Sequence, residues 1–156
     1  MTLLGGTDML DLSPDAVVFS GEGGRIAFEI SDYERPGAPD YHDANWLTVS
    51  VSIAVGAFSG SFGASLGTYE LVELLRQLRG GIDTLSGTVT FENMERDLLM
   101  RIEFGQRGEA RISGEAKPNS SLQGSLTFAF ETDQSYLSQA VEALSAVVRR
   151  FPVKTR

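Results

Sequence analysis

Residues 47–55 read Leu-Thr-Val-Ser-Val-Ser-Ile-Ala-Val. Every odd position is apolar, and the even positions are Thr48, Ser50, Ser52 and Ala54. A side-chain period of two puts Leu47, Val49, Val51, Ile53 and Val55 on one face of a strand and small polar groups on the other. A helix would scatter both sets around its axis. Val55-Gly56-Ala57-Phe58 then reads as a turn. The strand beyond it is expected to bury Phe58, Phe62, Ala64 and Leu66 and to show Ser59, Ser61 and Ser65. The stretch is therefore half of a hairpin whose apolar face needs a cover.

The same alternation recurs on both sides. Leu98, Met100, Ile102 and Phe104 form one strand, Gly105-Gln106-Arg107-Gly108 a turn, and Ala110, Ile112 and Ala116 the returning strand. The outer face of that hairpin carries mixed charge, so cross-strand Arg–Glu pairs are expected. Further strands are expected over 25–31, 85–91 and 122–130, with Leu85 and Leu122 inward, and a weaker one over 16–19. Two segments switch to helical spacing. Leu71, Leu74, Leu75 and Leu78 make one stripe, with Thr68 as cap, Gly80-Gly81 as stop, Glu70 and Glu73 in the first turn and Arg76 and Arg79 in the last. Leu137, Ala140, Val141, Leu144, Val147 and Val148 make the other, capped by Thr132 or Asp133 and ended at Phe151-Pro152. Each half reads hairpin then helix. The expected fold is α+β, one domain over 1–156: a mostly antiparallel, twisted sheet of seven or eight strands with two amphipathic helices on one face.

Composition narrows the chemistry. The chain has 156 residues, 21 acids against 13 bases, one histidine and no cysteine. At this length a chain buries roughly 70% of its unfolded surface, enough for a core without staples. The lack of cysteine excludes disulfides, thiolate metal sites and thiol catalysis. Residues 1–75 hold 11 acids and two bases, a net charge of −9, while residues 76–156 hold 10 acids and 11 bases, a net of +1. The net charge of −8 disfavours nucleic acid and anionic membrane as main partners, and an acidic half of this kind either steers a basic protein or serves solubility alone. Met1 to Leu12 carries Asp8 and Asp11 and no basic n-region, so it is not read as a signal peptide, and no apolar run approaches the roughly 20 residues of a membrane span. The expected compartment is the cytoplasm.

One long connection, residues 31–45, stands out. It carries Asp32, Glu34, Asp40 and Asp43 with Tyr33, Tyr41 and the single histidine, His42, and Trp46 follows it. Loops of this length inside a compact domain are more often functional than idle. Asp40, His42 and Asp43 are too close in sequence to converge on one ion, so no metal site is expected. No phosphate cradle is present either, because Gly21-Glu22-Gly23-Gly24 opens a strand rather than a helix. No nucleophile elbow is present, since Gly60-Ser61-Phe62-Gly63 lies in a hairpin. No cofactor and no catalytic residue is therefore expected. Asp32, Glu34, Asp40, Tyr41, His42, Asp43 and Trp46 are the candidate partner-binding set, from charge and aromatic placement alone. Trp46 has two readings, an exposed anchor or a ring folded over the sheet rim. The other functions open to these residues are a small-ligand or sugar-binding pocket under 31–46 and a hydrolase using loop carboxylates.

Four stretches carry a resemblance. Asp43-Ala44-Asn45-Trp46-Leu47 runs into an alternating strand, Thr68-Tyr69-Glu70-Leu71 opens the first helix, Phe91-Glu92-Asn93 leads toward Leu98, and the closing helix ends Arg150-Phe151-Pro152-Val153. In this order, over about residues 33–156, they resemble small bacterial immunity proteins of the WapI type. The resemblance implies a non-catalytic inhibitor that protects a cell from a secreted toxin domain. Many such toxins are nucleases and therefore basic, which the acidic half would complement. Whether the chain is a monomer or a dimer stays open.

Overall fold

The computed structural model describes residues 12–155. Asp8, Asp11, Arg156 and nearly all of the stretch weighed as a signal peptide lie outside the described residues. The elements run β1 Val17–Gly21, β2 Gly24–Tyr33, α1 Tyr41–Ala44, β3 Trp46–Val55, β4 Phe58–Gly67, α2 Thr68–Thr84, β5 Thr88–Glu92, β6 Leu98–Phe104, β7 Glu109–Ala116, β8 Leu126–Asp133 and α3 Gln134–Arg150. The class is α+β, as the sequence predicts. All eight strands pair antiparallel, in two four-stranded sheets ordered β1-β2-β3-β4 and β5-β6-β7-β8. The echo in the sequence is thus a double unit of four strands and a 17-residue helix.

The alternating residues become the core. Leu47, Val49, Val51 and Ile53 join Phe19, Ile26 and Phe28 of the first sheet, and Leu98, Met100, Ile102 and Ile112 of the second, in one apolar cluster. Leu71, Leu74 and Leu78 of α2 and Leu137, Ala140 and Leu144 of α3 close it. Phe28 of β2 meets Phe91 of β5 at 5.8 Å between ring centres, so the sheets share this core. A seam joins them. Glu22 N–H donates to Glu131 O at 2.8 Å and Thr132 Oγ1 to Ser20 O at 2.6 Å. Glycine is required there, because a Cβ on Gly21 would stand 2.1 Å from Glu131 O.

Several local expectations change. Phe58 is 68% exposed, because it lies at the hairpin tip beyond the core's reach. Leu122 is 81% exposed: Asn119, Ser120 and Ser121 all take positive φ, which breaks extended backbone and delays β8 until Leu126. The first long helix passes through Gly80-Gly81 to Thr84, leaving Arg76 and Arg79 mid-helix and Leu85 as a left-handed cap rather than a strand residue. Gly81 is there for contact, since a Cβ would sit 2.3 Å from the Phe104 ring. The α2 N-cap is Gly67, not Thr68, and Asp133 caps α3. The cross-strand pairing expected within the β6–β7 hairpin goes elsewhere: Arg111 of β7 pairs with Glu131 of β8 at 2.5 Å, both exposed. The loop expected over 31–45 is shorter, because β2 continues through Tyr33 past a register shift at Ile30/Asp32 and α1 occupies its far end.

Candidate functional site

The residues between β2 and β3 are held against the C-terminal tail. Asp40 opens α1 as its cap, accepting from His42 N at 2.8 Å. The one-turn helix turns the chain so that Asn45 points inward, where it is 2% exposed. Its amide is fully used. Nδ2 donates to Tyr41 O at 2.6 Å and to Lys154 O at 2.9 Å, while Oδ1 accepts from Thr68 Oγ1 and from Lys154 N, both at 2.7 Å. One side chain therefore ties α1, the start of α2 and the tail together. Tyr33 adds a second tie. Its hydroxyl donates to Pro152 O at 2.7 Å, Phe151 packs edge-on to its ring at 5.5 Å, and Lys154 Nζ lies over the ring at 3.8 Å. Burial, then the Asp32 carboxylate, raises the phenol above its ordinary value, which keeps that proton available to donate.

A second polar hub builds the turn between β5 and β6. Asn93 is buried, donating from Nδ2 to Asp97 Oδ2 at 3.1 Å and accepting from Leu98 N at 3.1 Å. Asp97 also accepts from Asn119 N at 3.2 Å. With its base fixed, the turn holds Met94, 63% exposed, and Glu95 outward. Glu70 links this turn to α2, accepting from Gly67 N at 2.7 Å and from the Met94 backbone. Burial raises its carboxyl above the usual range, with those two donors opposing and Glu95 adding to the rise.

Two adjoining basins result. The first, about 660 Å³ and open to solvent, has apolar walls from Tyr41, Tyr69, Met94 and Val153, with His42 and Lys154 at its margin. His42 stacks on Tyr41 at 4.3 Å. The second lies across Met94 and is lined by Glu34, Arg35, Asp43, Trp46, Ser65 and Glu95. Its one base, Arg35, is already paired with Asp43 at 3.5 Å. Trp46 is half-buried at the first position of β3, its ring edge-on to Tyr69 at 6.2 Å, so one side folds over the rim and the other faces the basin.

The fold thus gathers Glu34, Tyr41, His42, Asp43 and Trp46 at one end of the molecule, with Asp40 capping the same turn. Asp32 stands apart, exposed on β2 opposite Thr48. Sequence reasoning missed Asn45, Tyr69, Asn93, Met94, Glu95 and Val153. A signal existed for Asn45, a polar residue between the buried Ala44 and a strand. Met94 carried none, because an exposed turn methionine reads like any loop residue. Among the described residues no three His, Cys, Asp or Glu side chains converge as metal ligands would, and no helix is long and apolar enough to cross a membrane. The family model of the immunity protein WapI-like family matches residues 17–152, nearly the whole chain. No curated protein matches the chain.

Proposed function

The chain belongs to the WapI-like immunity protein family, and from that premise we propose that it binds and neutralises a cognate toxin domain through the end of the molecule built by Asn45 and Asn93. The observation that carries this reading is the apolar basin of Tyr41, Tyr69, Met94 and Val153 beside the carboxylates of Glu34, Asp43 and Glu95. Tyr and Trp are among the side chains that carry most energy at protein interfaces and Met is enriched there, and here they surround one spot. A sugar or small polar ligand needs converging hydrogen-bond partners, whereas this basin is mainly apolar and wide open.

In this reading the protein is a stoichiometric blocker without catalysis, acting in the bacterial cytoplasm. The toxin is basic, as a nuclease domain must be to hold its substrate. The carboxylates then raise the association rate and compete with the polyanion, while the apolar basin slows release. Glu34, Asp40, Tyr41, His42, Asp43 and Trp46 stay in the proposed contact set; Asp32 acts through the long-range field.

The test is co-purification of the chain with the toxin domain encoded beside it. Glu34→Gln with Glu95→Gln is expected to slow association about tenfold at low salt, and the effect is expected to shrink as ionic strength rises. Association rates that ignore both the substitutions and the salt would remove the electrostatic part of the proposal.

A further inference from the structure

The four terminal strands of the two sheets are finished differently. β1 is closed onto β8 through the Glu22–Glu131 bridge. β5 has five residues, and Gln77 of α2 accepts from its Thr90 N–H at 3.0 Å. β4 has neither protection. It runs ten residues in unbroken register with β3 and, among the described residues, pairs with no other strand. Its sequence, Phe-Ser-Gly-Ser-Phe-Gly-Ala-Ser-Leu-Gly, holds no charge and no proline. Among the described residues the usual devices that blunt a sheet edge are therefore absent.

The free groups can be named. Gly56-Ala57 is a two-residue turn with Gly56 at φ +57°, so Val55 and Phe58 close the hairpin as a hydrogen-bonded pair. Alternation from that pair turns Phe58, Gly60, Phe62 and Ala64 toward β3. It turns the N–H and C=O of Ser59, Ser61, Gly63 and Ser65 toward the open side. Gly67, next in the same series, points that way too, for its N–H reaches Glu70. Among the described residues nothing equivalent meets the four before it.

This edge looks across a channel at the connection between β7 and β8. Phe58, Phe62 and Leu126 line one part of the channel. Glu34, Ser65, Glu95 and Asp97 line the next, with no Lys or Arg among its walls. Pro118 and Gln123 border both, so the two parts lie in line along β4. The acidic part also shares Glu34, Ser65 and Glu95 with the basin beside Trp46.

We propose that an extended segment of the toxin adds to β4 as a fifth strand of the first sheet. Main-chain bonds to Ser59, Ser61, Gly63 and Ser65 hold it. An apolar side chain lies over Phe58 and Phe62, and a Lys or Arg reaches Glu34 and Glu95. The acidic end of the channel selects a basic segment over a second copy of this chain, whose β4 carries no charge to offer. The inference rests on the toxin-binding reading above and adds the mode of attachment.

Residue-resolved amide exchange, with the neighbouring toxin domain as probe, tests it. In the free protein the amides of Ser59, Ser61, Gly63 and Ser65 should exchange fast and those of Gly60, Phe62 and Ala64 slowly. In the complex the four outward amides should slow at least about tenfold, in strict alternation. Ser61→Pro, which removes an outward donor and leaves the β3 ladder intact, should weaken toxin binding at least about tenfold. Tight binding with the outward amides still fast, and Ser61→Pro harmless, would overturn the added strand and leave the toxin reading standing. Protection in the free protein together with a dimeric mass would make a second copy the occupant and also overturn it. Absence of any toxin binding by the wild-type chain would remove both proposals together.

Discussion

Replacing Asn45 with alanine should loosen the proposed binding end more than any other single polar change. The side chain makes four hydrogen bonds, of 2.6 to 2.9 Å, while 2% exposed. Alanine leaves four partners. Thr68 Oγ1 is in a residue 1% exposed, so its loss carries the full cost of an unsatisfied buried group, about 1–3 kcal/mol. Tyr41 O, Lys154 N and Lys154 O lie nearer solvent, and each should lose only the net value of a bond, about 0.5–1 kcal/mol. The expected total is about 2.5–6 kcal/mol. For a domain of this size that corresponds to a fall in Tm of roughly 5–24 °C. Urea unfolding followed by Trp46 fluorescence and by far-ultraviolet circular dichroism measures it. Thr68→Val alone should cost about 1 kcal/mol, and the double variant should cost less than the sum, because both changes delete the same bond. A loss under about 1 kcal/mol for Asn45→Ala would show that water replaces the whole network, and that the tail and α1 are held by something else.

The remaining expectations concern packing, titration and the basin. Gly81→Ala adds a Cβ that would stand 2.3 Å from the Phe104 ring, so it should destabilise by about 1–3 kcal/mol although alanine favours a helix, and Phe104→Leu should restore much of the loss. Paired urea midpoints read both changes. Glu70 has its folded-state carboxyl raised by burial, so the folded protein binds that proton more readily than the unfolded chain. Its contribution is then fully present below the ordinary glutamate range and is lost as pH rises through the raised value. Relative to Glu70→Gln, the wild type should therefore lose stability as pH rises above the ordinary glutamate range, and a constant difference there would contradict the shift. Met94→Ala should change stability by less than about 0.5 kcal/mol, because the side chain is mostly in water; thermal melts check this.

How much of this was legible in the sequence follows from what each residue faces. The stretch 47–55 declared itself because one side of β3 is core and the other is not, which is the condition for a period of two. The two long helices were legible for the same reason at their own period. The division into two sheets was not, because the seam rests on the backbone of Ser20, Glu22 and Glu131 and one threonine hydroxyl, and leaves no side-chain period. Leu85 and Leu122 misled because apolar character was read as strand membership, whereas positive φ at Leu85 and over Asn119, Ser120 and Ser121 ends regular structure there. Gly80-Gly81 misled because glycine serves close contact as well as helix termination. At the site, Glu34, Tyr41, Asp43 and Trp46 could be named from one acidic, aromatic connection. Their neighbours Tyr69, Met94 and Val153 come from three other places in the chain, and only folding brings them together.

The central claim is that the basin of Tyr41, Tyr69, Met94 and Val153 is where the toxin is held. Equilibrium titration of the neighbouring toxin domain against the wild type, against Tyr41→Ala with Met94→Ala, and against Arg107→Ala in the turn between β6 and β7 tests it most directly. Two central aromatic and thioether contacts should together be worth about 3 kcal/mol or more. The account predicts a loss of at least about a hundredfold in affinity for the double variant, measured well below its melting temperature, and none for Arg107→Ala. Equal affinity of the double variant and the wild type would contradict it.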